Sequence, residues 1–100
     1  MSIIDSHINE IQKLCLENKV KSLYVFGSVL NEGFNSQSDI DLVVDFNNIE
    51  IAEYADNYYN LKFGLQKIFH RQIDLLEQKA IKNPYFLQQL NLQKKLVYGY

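Results

Sequence analysis

Asp39 and Asp41, one residue apart, are the pair in this sequence best placed to do chemistry. They run straight into the apolar triplet Leu42-Val43-Val44, so they read as the opening of a β-strand over about Ile40 to Phe46. Side chains at i and i+2 of a strand project from the same face. Two carboxylates held that close repel, and one tends to take up a proton. A divalent cation removes the conflict, and hard oxygen donors with no His or Cys nearby suit Mg²⁺ or Mn²⁺. Two such ions about 3.5–4 Å apart form the usual clamp for in-line attack on phosphorus. A calcium loop is excluded, because the Gly and terminal Glu it requires are not at their offsets. A solvated strand edge would be a poor use of two acids directly before an apolar triplet.

A second stretch fits the same chemistry. The apolar run Leu23-Tyr24-Val25-Phe26 is broken by Gly27-Ser28. A glycine lets the backbone approach a phosphate, and amides at a helix start can bind one. Ser28 adds a hydroxyl donor; alone it would read as a turn or helix cap. Ser38, directly before Asp39, is placed to position the acids.

Gly27-Ser28, ten intervening residues and then Asp39-x-Asp41 resemble the signature of the DNA polymerase beta-type nucleotidyltransferase superfamily, in particular its minimal nucleotidyltransferase (MNT) domains. The resemblance covers nearly the whole chain. It implies a third carboxylate on a later strand, and Asp74, within Arg71-Gln72-Ile73-Asp74-Leu75-Leu76, sits where that residue should be. Asp39, Asp41 and Asp74 would then be both the catalytic residues and the metal ligands, for Mg²⁺ or Mn²⁺. Gly27, Ser28 and Ser38 would bind the nucleotide, with ATP as the expected substrate. The implied fold is α/β (α+β), a mixed sheet with helices packed on one face. One departure stands out: many members carry a basic residue shortly after the Gly-Ser pair, and here Val29-Leu30-Asn31-Glu32 follows. Arg71, at the start of the third strand, would partly replace it.

The resemblance also implies a partner. Minimal nucleotidyltransferases are commonly paired with a small helical HEPN protein, often a toxic ribonuclease. The nucleotidyltransferase is then the antitoxin, adding AMP to a partner tyrosine or binding and blocking the partner. The expectation is protein AMPylation in such a pair. Two rivals are a catalytically idle module that masks a partner, and a small-molecule (antibiotic-type) nucleotidyltransferase.

The elements that must position these residues follow from composition and periodicity. One hundred residues make a single domain, 1–100, with one core. A net charge of −2 argues against a general nucleic-acid binder, which would carry a basic face. The single cysteine excludes an internal disulfide and points to a reducing cytoplasm. There is no signal-peptide pattern and no apolar run of membrane-spanning length. The oligomeric state, homo- or hetero-, stays open.

In chain order, a helix starts near Ser2, with Ile4, Ile8, Ile11 and Cys15 on one face and Asn18 as a left-handed stop. Cys15 reads as a buried small apolar residue rather than a nucleophile, and His7 as a surface or helix-packing residue. Strands follow at about Val20 to Phe26 and Ile40 to Phe46, with a polar loop from Asn31 to Ser38 between them. A long helix runs from about Ile51 to Phe69, with Tyr54, Tyr58, Leu61, Leu65 and Ile68 as its buried stripe. Tyr59 and Phe63 lie off that stripe one turn apart, either as scattered surface aromatics or as a partner-binding face. His70 reads as a turn residue. A third strand spans about Gln72 to Leu76, and Asn83-Pro84 caps a last helix. The tail Leu96-Val97-Tyr98-Gly99-Tyr100 docks either on the core or on a partner.

Overall fold

The structure is a computed structural model, and it describes residues 2–27 and 39–99. Its elements are α1 (Ser2–Asp5), α2 (Ile8–Glu17), β1 (Val20–Phe26), β2 (Ile40–Phe46), α3 (Ile51–Phe69), β3 (Ile73–Glu77), α4 (Pro84–Gln93) and β4 (Lys95–Gly99). A short 3₁₀ turn, Gln78–Ala80, follows β3. The four strands form one mixed sheet in the order β3-β2-β1-β4. β1 is antiparallel to both β2 and β4, while β2 and β3 are parallel. The parallel pair is joined through α3, as a same-sheet crossover requires. The expected α/β fold with a mixed sheet is thus present, with α2 and α3 on one face as expected, but α4 lies on the other, where Phe86 and Lys94 meet Phe26 and Tyr24.

The alternation of β2 explains the layers. Ile40, Leu42, Val44 and Phe46 enter the main core, together with Leu23 and Val25 of β1, Ile73 and Leu75 of β3, Ile11 and Cys15 of α2, and Leu61, Leu65 and Phe69 of α3. Asp41, Val43 and Asp45 alternate with that set and so face the other way. α3 buries the expected stripe: Leu61 and Leu65 are fully buried, and Tyr54, Tyr58 and Ile68 pack against the core. Gly64 lets α2 and α3 approach, because a Cβ there would lie 2.7 Å from both methyls of Leu14. Tyr58 reaches across to the outermost strand, its hydroxyl donating to the Leu75 carbonyl at 2.6 Å. The bond occupies a carbonyl of β3, which among the described residues is an edge strand, paired with β2 alone.

α4 approaches the sheet from the Asp41 side. Its start is built as the sequence indicates: the Asn83 side chain accepts from the amides of Tyr85 at 2.9 Å and Phe86 at 3.2 Å, with Pro84 in the first turn. Phe86 meets Phe26 edge-on, ring centroids 6.4 Å apart. Lys94 places its Nζ 4.1 Å over the Tyr24 ring. Val43 and Leu90 are both buried yet stand outside the main core cluster, so this face carries a small apolar patch of its own.

Two local expectations change, and a third is narrowed. The first helix is two: α1 ends at Asp5, and Ser6 and His7 form a turn before α2. The turn is closed by the Ser6 hydroxyl on the Ile3 carbonyl at 3.2 Å, and His7 packs its ring against Phe69 at 5.7 Å. The left-handed residue after α2 is Lys19 (φ 59°), not Asn18. Asn18 instead closes the helix end with its side-chain amide, which donates to the Leu14 carbonyl at 2.9 Å. The tail docks on the core, one of the two placements expected, and does so as a strand: Lys95–Gly99 is β4, paired with β1, and Val97 enters the core. His70 is a left-handed turn residue (φ 55°) that ends α3, as expected.

Candidate active site

The site forms where β1 ends and β2 begins. These two strands are antiparallel, so the end of one lies beside the start of the other. Phe26 pairs with Asp41 across them, and Asp41 pairs with Asp74 across the parallel β2–β3 junction. Directly paired residues project from the same face of a sheet. Phe26, Asp41 and Asp74 therefore form one transverse row. Asp39 precedes β2 by one residue and opens to solvent, at a point where the Ile40 amide donates to the Gln72 carbonyl at 3.2 Å. Arg71, half-buried, stands at this same end of the sheet.

Gly27 completes the corner. Its φ of +77° lies in the left-handed region, and a Cβ there would run into the Asp41 carboxylate. The glycine expected to let the backbone approach a phosphate thus also makes room for an acid. Ser28 and Ser38, the other two expected nucleotide contacts, lie outside the described residues.

The acids differ in exposure. Asp41 is half-buried, while Asp39 and Asp74 are exposed. Asp39, Asp41 and Asp74 are not brought together as one three-ligand set: among the described residues, no three His, Cys, Asp or Glu side chains are grouped so as to hold a metal ion. The arrangement is a row, with two carboxylates side by side and the third at the open start of the strand. Such a row fits Mg²⁺ or Mn²⁺ arriving with a nucleotide. Mg²⁺ keeps several waters and binds through one or two carboxylates plus substrate phosphates, not in an all-protein cage.

Asp45, on the same face of β2 as Asp41, has another role: Lys79 from the turn after β3 pairs with it at 3.5 Å. Burial raises the pKa of Tyr58, with smaller contributions from neighbouring Tyr59 and Asp74. Cys15 has no place in the site. It is fully buried among apolar side chains, and that burial pushes its thiol pKa up to about 12.

Tyr59 and Phe63 do not join the acidic row. They stand on α3, about half exposed, stacked with ring centroids 5.8 Å apart and rings inclined by 25°. Tyr59 also meets Tyr58 edge-on at 5.1 Å, and Tyr58 stacks on Tyr54, so an aromatic ladder climbs the helix from the core to the surface. Sequence reasoning missed Phe26 as a neighbour of Asp41. The signal was there in part, since Phe26 alternates with the core residue Val25, but its pairing partner depends on strand register.

Known proteins resemble this chain in sequence and in fold. A candidate protein adenylyltransferase of Methanocaldococcus jannaschii is 34% identical over 80 residues, which is 80% of this chain and 77% of the relative. A chain from the crystal structure of a toxin-antitoxin with AMP-PNP matches the fold with a TM-score of 0.69 at 25% identity, over 93% of this chain and 73% of that one. A chain from the complex of tri-AMPylated Shewanella oneidensis HEPN toxin with MNT antitoxin matches with a TM-score of 0.65 at 24% identity, over 97% of this chain and 73% of that one. The family Polymerase beta, Nucleotidyltransferase is matched over residues 9–100. Nearly the entire chain is covered, acidic row included, and the protein belongs to that nucleotidyltransferase family.

Proposed function

We propose that this protein is a metal-dependent adenylyltransferase that moves AMP from ATP to a hydroxyl of a partner protein. The observation that carries the reading is the pairing of Asp41 with Asp74, with Gly27 packed against Asp41. Asp39 and Asp41 would hold Mg²⁺ with Asp74 beside them, and the ion would supply charge neutralisation at the triphosphate. Gly27 brings backbone close to the outer phosphates, with Ser28 as the hydroxyl donor and Ser38 positioning the acids. Asp74 is exposed and meets an incoming acceptor, taking the proton of its hydroxyl. The acceptor oxygen bonds to the α-phosphorus, the bond from that phosphorus to the bridging oxygen breaks, and pyrophosphate leaves. The products are an adenylylated protein and pyrophosphate.

The partner we propose is a small helical HEPN protein, for which this chain is the antitoxin, in a reducing cytoplasm. Support comes from the kinship with a toxin-antitoxin chain at 25% identity and with a candidate protein adenylyltransferase. Among the described residues, no helix is long and apolar enough to cross a membrane. A second reading, masking without catalysis, is favoured by one observation: the exposed Tyr59–Phe63 stack. Asp41→Asn separates the two. Under catalysis, radiolabel from α-labelled ATP reaches a HEPN partner with the wild-type chain and Mg²⁺, and the variant neither labels nor neutralises it. Undiminished neutralisation by Asp41→Asn would establish masking.

A further inference from the structure

We infer that Tyr58 of α3 is a positioning residue for Asp74: its hydroxyl, bound to the Leu75 carbonyl, holds β3 from the outside and so keeps Asp74 beside Asp41. The inference rests on the adenylyltransferase reading and adds to it a residue on an element that carries none of the acids. β3 has five residues and, among the described residues, pairs with β2 alone. The Gln72 carbonyl accepts from the Ile40 amide, so it faces β2. Backbone polar groups of successive strand residues point to opposite sides. The amide and carbonyl of Asp74 therefore face β2 as well, and those of Leu75 face away from it. The Leu75 carbonyl is the first outward one after Asp74, and the Tyr58 hydroxyl donates to it at 2.6 Å. Two consecutive residues of β3 are thus gripped from opposite sides, and Asp74 is one of them.

The outer grip is firm because Tyr58 is itself held. Its half-buried ring packs against the core, stacks on Tyr54 with ring centroids 6.2 Å apart and meets Tyr59 edge-on at 5.1 Å. α3 is fixed in turn by Leu61 and Leu65, fully buried along the same stripe. Asp74 is exposed, so its carboxylate takes its place from the backbone that carries it. Asp41 differs, because β2 lies between β1 and β3 and is bonded on both sides. A hydroxyl that steadies β3 therefore bears on Asp74, the proposed proton acceptor, and not on the two acids proposed to hold Mg²⁺. Its removal should slow the chemical step and leave nucleotide binding as it was.

Tyr58→Phe keeps the stacked ring and removes the hydroxyl alone. The test follows label from α-labelled Mg²⁺-ATP to a HEPN partner, and Mg²⁺-ATP affinity by calorimetric titration, both well below the melting temperature. The expected kcat is about tenfold lower, short of the ~10²-fold that a misplacement of about 1 Å costs. The Kd for Mg²⁺-ATP is unchanged, and the melting temperature falls by about 4–8 °C, as loss of one hydrogen bond allows. In Asp74→Asn, adding Tyr58→Phe costs no further activity, because the acid it places is already gone. An unchanged kcat in Tyr58→Phe overturns the role. So does an equal loss of kcat and ATP affinity, or a second tenfold loss in the Asp74→Asn background. A Tyr58→Phe chain that does not fold overturns it as well, since the hydroxyl then supports the whole fold rather than one acid. If the wild-type chain transfers no AMP, the transferase reading falls and takes the role of Tyr58 with it.

Discussion

There is no room for a methyl group between Gly27 and the carboxylate of Asp41. The glycine also holds a left-handed φ of +77°, which costs a side-chain-bearing residue about 1–2 kcal/mol. Gly27→Ala therefore strains the turn and displaces at once the acid we propose to bind the metal. We expect a melting temperature lower by about 5–15 °C. Adenylyl transfer should fall at least about 10²-fold, since a displacement of order 1 Å at a reacting centre costs that much. Thermal melts and a labelled-ATP assay check both, and a variant with full activity would separate Gly27 from the site.

Asp74 offers the opposite combination, a proposed proton acceptor with little structural duty. It is exposed, and no part of the core depends on it. Asp74→Asn should leave the melting temperature of the free chain unchanged within about a degree or two, since surface substitutions usually stay within ~0.5 kcal/mol. Loss of a proton acceptor should lower transfer by about 10²–10⁴-fold. Asp39→Asn is the companion measurement. The stabilisation that Mg²⁺-ATP adds to the wild-type melt should shrink in it, and a full ligand-induced shift would remove Asp39 from the ligand set.

Alkaline stability should report the burial of Cys15. Its thiol titrates near 9.0 when unperturbed and at about 12 in the fold, raised by burial. The native state thus holds the proton more tightly than the unfolded chain does. The contribution is complete below pH 9 and is lost as the pH climbs through that window towards 12. Tyr54 and Tyr58, both raised above their ordinary 10.0 chiefly by burial, act in the same direction. Melts of the wild-type chain should fall across this range more steeply than those of Cys15→Ala, which keeps only the tyrosine share. Parallel slopes would show that the thiol is not sheltered.

Much of the site was legible because its residues are close in sequence or marked by alternation. Asp39-x-Asp41 before an apolar triplet places two acids at the start of a strand by period alone. The stripe on α3 and the Asn83-Pro84 cap are likewise local patterns, and both stand in the structure. β4 was not legible as a strand. Five residues after a helix, Leu96 half exposed and Val97 buried, carry too short a period to declare themselves; they become a strand because the free edge of β1 offers hydrogen bonds. The break between α1 and α2 was hidden for a related reason. The buried positions Ile4, Ile11 and Cys15 keep helical spacing across it, and the turn is closed by Ser6, whose role a hydropathy pattern does not show.

The sequence by itself determined which residues are chemical and which are structural, since polarity, spacing and turn preference act over a few neighbouring positions. It determined the apolar faces of the central strands and of α3, the turn at Gly27 and the candidate acids. Only the tertiary structure decided which of those acids stand side by side. Asp41 meets Asp74 because β2 and β3 are parallel and in that register, and Phe26 joins them because β1 runs the other way. Register and strand direction are set by the packing of whole layers, through α3 on one face and α4 on the other. That information is spread over the chain and cannot be read from any one stretch of it.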